Sequence, residues 1–136
     1  WRRLVPWASY DSLGHMHEVM RGDRREAQSE SVPEQMWSSA AFLSAAITGL
    51  YGLDVDAATP SLSFHPQPPP DWNQLKAENV RVGQSNVSLS WRRAAGAEQL
   101  DIHNDGPAFA LLWRTVSGDQ KVTVGRGRTS LRSATR

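Results

Sequence analysis

From Met36 to Leu53 the chain runs for eighteen residues without a charge. Such a stretch must be shielded from water, by lipid or by other parts of a fold. It is marginal in length for a membrane span and is interrupted by Ser38, Ser39, Ser44, Thr48, Gly49 and Gly52. A helix buried among neighbouring helices is therefore expected. Ser31-Val32-Pro33-Glu34 has the spacing of a capping box, with proline in the first turn, where its missing N–H does no harm. Beyond it Trp37, Ala40, Ala41, Ser44, Ile47, Thr48 and Tyr51 line one face, and Phe42, Ala46 and Leu50 another. Gly49 or Gly52 would end the helix.

After Leu53 the period changes. Asp54 to Pro60 reads as a turn, and Leu62 and Phe64 alternate as in a strand. His65 to Asp71 holds four prolines and suits neither helix nor strand. Val80/Val82, Val87/Leu89/Trp91, Leu100/Ile102, Phe109/Leu111/Trp113 and Val122/Val124 alternate in turn. Gly83-Gln84-Ser85-Asn86 and Asn104-Asp105-Gly106-Pro107 punctuate them. Short strands at this spacing predict an antiparallel sandwich, and helix first with strands after predicts segregated α and β parts.

Charge is unevenly distributed. Residues 114–136 carry six Arg/Lys and one Asp, a net of +5, and residues 1–113 carry nine and thirteen, a net of −4. The basic end has no interleaved aromatics, so a solvated flexible tail over 126–136 is expected rather than a nucleic-acid or membrane contact. The absence of cysteine rules out disulfides and thiolate metal sites and leaves both a bacterial cytoplasm and a periplasm open. No phosphate-cradling glycine loop and no Ser/His/Asp arrangement is legible, and no cofactor is expected.

Among ionisable residues Glu18 draws notice because of its setting, His17-Glu18-Val19-Met20-Arg21-Gly22. Apolar neighbours can tune a carboxylate for acid or base work, and a glycine lets the backbone turn close to a ligand. His15 and His17 lack a third ligand nearby, so no metal is expected. Asp54 and Asp56 lack the remaining ligands and glycine of a calcium loop and suit a turn. Trp7 and Trp37 could stack on a sugar, while Trp72 and Trp91 suit a core. His17 and Gln35 could bond sugar hydroxyls.

The run from His17 to Gly22, a polar loop, and then Pro33-Glu34-Gln35-Met36-Trp37-Ser38-Ser39-Ala40 resembles the end of the catalytic domain in a group of glycoside hydrolases. These are the amylo-α-1,6-glucosidase and glycogen-debranching-like enzymes, with the trehalase, glucoamylase and mannosylglycerate hydrolase types, built on an (α/α)6 barrel. Asp54-Val55-Asp56-Ala57, Pro66 to Trp72 and Arg81-Val82-Gly83 extend the likeness to about residues 9–92. Met20-Arg21 departs from the usual aromatic or Leu-small pair after the base. The last twenty residues match nothing in the pattern.

The resemblance implies an α+β architecture: terminal helices of an (α/α)6 barrel over 1–53, then a small antiparallel β-sandwich-like segment over 54–125. It implies a glycosidase fragment that hydrolyses glycosidic bonds, α-glucosidic in the type members, with inversion. Glu18 falls on the base position, and Gln35, Trp37 and Ser38 on the helix signature. The general acid would lie upstream, in barrel sequence outside this chain. The start at Trp1, without a leader, fits such a fragment, expected to be inactive and self-associating alone. The implied partner is an oligosaccharide or glycoside. The alternative is a non-catalytic β-sandwich module that binds carbohydrate or a protein, with a helical lead-in. An α-rhamnosidase or a sugar phosphorylase is a further enzyme reading, the latter needing a phosphate site.

Overall fold

A computed structural model describes residues 1–11 and 13–134, so Ser12 and the last two residues of the expected tail lie outside it. The chain divides into two compact units, Trp1–Ile47 and Thr48–Arg136.

The first unit is mostly loop. It opens with a 3-10 turn, Val5–Ser9, which buries Trp7, and closes with the helix α1, Met36–Ser44. Between them Met20 and Ala27 form an isolated antiparallel bridge around the polar loop, and the Arg21 amide donates to the Glu26 carbonyl at 3.1 Å. A wider π-helical turn, Ala45–Leu50, follows α1 across the division between the units.

The expected long helix runs over Met36–Leu50, nine α residues and then six π, but it starts later than the capping box predicts and is not buried along α1. Glu34 sits at φ 57°, in the left-handed region where a side chain is crowded, so the chain cannot run helically through it. Ser31 Oγ accepts from the Val19 amide at 2.9 Å instead of from the helix. Gln35 takes the N-cap position without a side-chain bond. No residue of α1 is buried, and Met36 and Trp37 are 76% and 79% exposed.

The second unit is all strand. Eight strands follow in order: β1 Leu53–Asp56, β2 Ser61–Phe64, β3 Gln74–Val82, β4 Ser85–Ala94, β5 Ala97–Asn104, β6 Phe109–Thr115, β7 Gly118–Val124 and β8 Gly127–Ala134. They form two four-stranded sheets, ordered β1-β2-β6-β7 and β3-β4-β5-β8. One core joins their inner faces, with Leu62, Phe64, Leu89, Trp91, Leu100, Ile102, Leu111 and Trp113 at its centre. Each such side chain contributes about 1.5–3 kcal/mol by leaving water.

This architecture overturns the expected one. Among the described residues there is a single α-helix, with no paired helices that could be the terminal helices of an (α/α)6 barrel, and the chain is predominantly β. The β part is not purely antiparallel either, because β2 pairs β6 in parallel. The basic tail is corrected as well. Residues 127–134 pair along all of β5 as β8, with Leu131 half-buried and Ser133 buried on the inner side. Arginines at 128 and 132 occupy the outward positions of that strand, so its charge hides a strand's alternation.

Turn chemistry sets the register. Ala95 and Gly96, at φ 49° and 74°, make the two-residue link between β4 and β5. Asp56 Oδ1 accepts from the amides of Ala58 and Thr59 at 2.9 and 3.1 Å, closing the β1–β2 turn, while the residues before it extend as β1 rather than joining the turn. Asn104 is wholly buried. Its Nδ2 donates to the carbonyls of Pro107, Val124 and Gly125, and its Oδ1 accepts from Gly106.

Candidate functional site

Glu18 lies on a loop that backbone bonds hold against the start of α1. The Glu18 amide donates to the Val32 carbonyl at 3.0 Å. Two residues earlier, Met16 is clamped from both sides: its amide donates to Ser39 Oγ at 3.0 Å, and its carbonyl accepts from the Gln35 amide at 2.8 Å. Met16 itself is buried, so its side chain anchors the loop, and the chain emerges from Glu18 onward. The Glu18 side chain is exposed, as is Val19, so the packing expected to bury part of the carboxylate is absent within this unit.

His17 turns the other way. It is 7% exposed, and its Nε2 lies 2.7 Å from Asp11 Oδ2, with the Tyr10 ring edge-on at 5.6 Å. Its Nδ1 is buried and meets no hydrogen-bond partner among the described residues. His17 thus positions the loop and does not face solvent. Trp7 is also withdrawn, 5% exposed and tilted against Tyr10 at 5.0 Å. Trp37 is the reverse, an open indole at the first turn of α1. Gln35 is half-buried, with its backbone N–H committed to the Met16 carbonyl. Of the five residues singled out in the sequence, Glu18 and Trp37 are accessible to a ligand, and His17, Gln35 and Trp7 support the loop between them.

Gly22 does not play the part expected of it. It adopts no left-handed conformation, and a side chain there would meet open space. Two carboxylates of the same loop, Asp23 and Glu26, are already occupied. Asp23 accepts from Arg21 Nε and Nη2 at 3.0 and 3.2 Å, and Glu26 is paired with Arg24. The arginine contacts hold both carboxyls below their ordinary range, the reverse of what a proton donor needs. Two recesses of this unit open beside Arg21–Arg25 and along Arg21–Ser29, and Glu18 lines neither.

Among the described residues no group of three or more His, Asp or Glu could hold a metal ion, and no helix is long and apolar enough to cross a membrane. One ionisable residue escaped the sequence reading. Glu98 on β5 is 6% exposed, and burial pushes its carboxyl above the ordinary range, offset by the charges of Arg93 and His65. Its position in the inward series Glu98, Leu100, Ile102 and Asn104 was the available signal. No protein-family model matches the chain, and neither a curated protein nor a solved structure matches it.

Proposed function

We infer that residues 1–47 contribute the catalytic base of a glycoside hydrolase, with Glu18 activating the water that attacks the glycosidic carbon. The observation that carries this reading is the clamped loop. An accessible carboxylate stands immediately after two residues fixed by packing and hydrogen bonds, Met16 and His17. A base must be held in place by its supports while its oxygens remain free. Glu18 meets both conditions.

In this reading the acidic residues nearest Glu18 in sequence do not supply the general acid. Asp11 is engaged by His17, and Asp23 and Glu26 by arginines. In an inverting enzyme the acid and base carboxyls stand about 6.5–9.5 Å apart across the scissile bond, leaving room for the water. The open faces of Trp37 and Met36 then line the sugar cleft or pack against the part of the protein that brings the acid.

A second reading has its own support. Residues 48–136 have a closed core and need no catalytic partner to be a carbohydrate-binding or interaction module. The Glu18→Gln variant of the protein that carries this chain separates the two. Under the glycosidase reading its turnover of glycosides falls about 10²–10⁴-fold, while the substrate still binds. Unchanged turnover removes Glu18 from the chemistry.

A further inference from the structure

The outward face of the β3-β4-β5-β8 sheet has a regular chemistry. Pairing register places Gln74, Arg92, Gln99 and Arg132 in one row across the four strands. The next row is Lys76, Ser90, Asp101 and Ser130. No aromatic side chain appears in either row. Arg92, Gln99 and Arg132 also line one shallow recess, with Ala94, Ala97 and Glu98.

The charges in these two rows do not balance. Lys76 pairs with Glu78, at 2.6 Å, and Arg92 Nη2 with Asp101 Oδ2, at 2.7 Å. Asp101 is further saturated by Ser130 Oγ at 2.6 Å and by Gln99 Nε2 at 2.8 and 3.0 Å. Arg132 has no acidic partner among the described residues, and its side chain is exposed. Because only one nitrogen of Arg92 is bonded to Asp101, the rest of that guanidinium can also donate. The two arginines are separated by one strand, so their backbones stand about 9–10 Å apart and their long side chains can close on a group between them. Gln99, which lies between, gives its amide nitrogen to Asp101 and so keeps its oxygen as a free acceptor. Glu98 belongs to the inner face, where Arg93 and His65 offset its charge.

We propose that this recess binds an acidic sugar: Arg92 and Arg132 take the carboxylate of a uronate residue, and Gln99 Oε1 and Ser130 Oγ accept from its hydroxyls. Planar guanidinium groups match a carboxylate in geometry as well as charge. The alternation of serine, glutamine and aspartate between the cations suits a ligand rich in hydroxyls. A nucleic acid would want stacking platforms and an unbroken basic track, and here Asp101 interrupts the track and no aromatic is present. The site lies wholly within residues 48–136 and does not depend on whether Glu18 is catalytic.

The test uses the whole chain, residues 1–136, titrated with oligogalacturonate, with neutral malto-oligosaccharide of equal length, and with a single-stranded oligonucleotide of equal charge. Arg132→Gln and Arg92→Gln are compared with Arg126→Gln, a control in the β7–β8 turn, after circular dichroism shows each folded. Expected is saturable binding of oligogalacturonate, at least tenfold weaker in either recess variant and unchanged in the control, with the neutral sugar not bound. The proposal is overturned if oligogalacturonate does not bind, if the recess variants bind it like the wild type, or if the oligonucleotide binds as tightly.

Discussion

The carbonyl of His65 lies against the α-carbon of Gly52, and the His65 amide donates to the Gly52 carbonyl at 2.9 Å. A methyl group on Gly52 would fall 1.9 Å from the His65 oxygen, and the backbone there is at φ 60°. Two independent penalties meet at one residue: a clash with rigid backbone and a left-handed conformation. Gly52→Ala should therefore destabilise the β unit by about 2–4 kcal/mol, more than the left-handed backbone alone would cause. Urea denaturation followed by tryptophan fluorescence measures this. A midpoint within error of the wild type would mean that the β1–β2 contact yields without cost.

The proline segment after His65 connects the two sheets, and one side chain holds it. Arg93 Nη2 donates to the carbonyls of Pro69, Pro70 and Trp72, at 3.5, 3.1 and 3.2 Å, while the guanidinium carbon stands 5.4 Å from the Trp91 ring centre. Prolines cannot donate, so the segment depends on donors supplied from outside. Arg93→Met keeps a long apolar stem over Trp91 and removes every donor. It should cost about 1–3 kcal/mol. It should also speed exchange of the Trp72 amide, which donates to Pro69 at 2.9 Å. Unchanged exchange at Trp72 would show that the segment is fixed by its prolines alone.

Strands β2 to β7 were legible because each carries its signal within itself, whereas β1 was absorbed into the expected Asp54–Pro60 turn. Phe109, Leu111 and Trp113 alternate, and all three are buried in β6. β8 escaped because its outward arginines and serines mask a sparse inner series, and its identity comes from pairing with β5, which lies some thirty residues away. The burial expected of the helix failed for a different reason. Absence of charge shows that a surface wants cover, and does not show that this chain supplies it. α1 has the predicted composition, yet Met36, Trp37, Leu43 and Ile47 of the same uncharged stretch stand open. The capping-box spacing was real but was diverted, since Ser31 bonds the loop that carries Glu18. Local pattern could not reveal that competition, because Val19 and Ser31 are twelve residues apart. For the candidate site, the type and position of Glu18 were legible. Which way His17 and Trp7 turn was not, because that depends on contacts with Asp11 and Tyr10.

Glu98 gives the β unit a pH dependence with a definite sign. Its carboxyl is buried beside Trp91, whose indole N–H lies close without completing a hydrogen bond, and it faces Arg93 from β4 and His65 from the end of β2. Desolvation is the largest influence and raises the folded-state pKa above the ordinary 4.5, while both cations and Trp91 pull it back. A carboxyl raised on folding binds its proton more tightly in the native state. Its contribution to stability is thus fully present below the unfolded pKa and is lost as pH rises through the folded one. Asp101 has the opposite sign, lowered chiefly by Ser130 and Gln99, so its contribution fades as pH falls. The wild-type curve mixes the two, and a difference between variants isolates one. Glu98→Gln removes the buried charge and keeps the shape, so it should stabilise the fold at pH 8 by on the order of 1 kcal/mol and leave it nearly unchanged at pH 4. Urea midpoints of both proteins at the two pH values decide it. If the variant is the less stable at pH 8, Arg93 outweighs burial and Glu98 acts as its counter-ion.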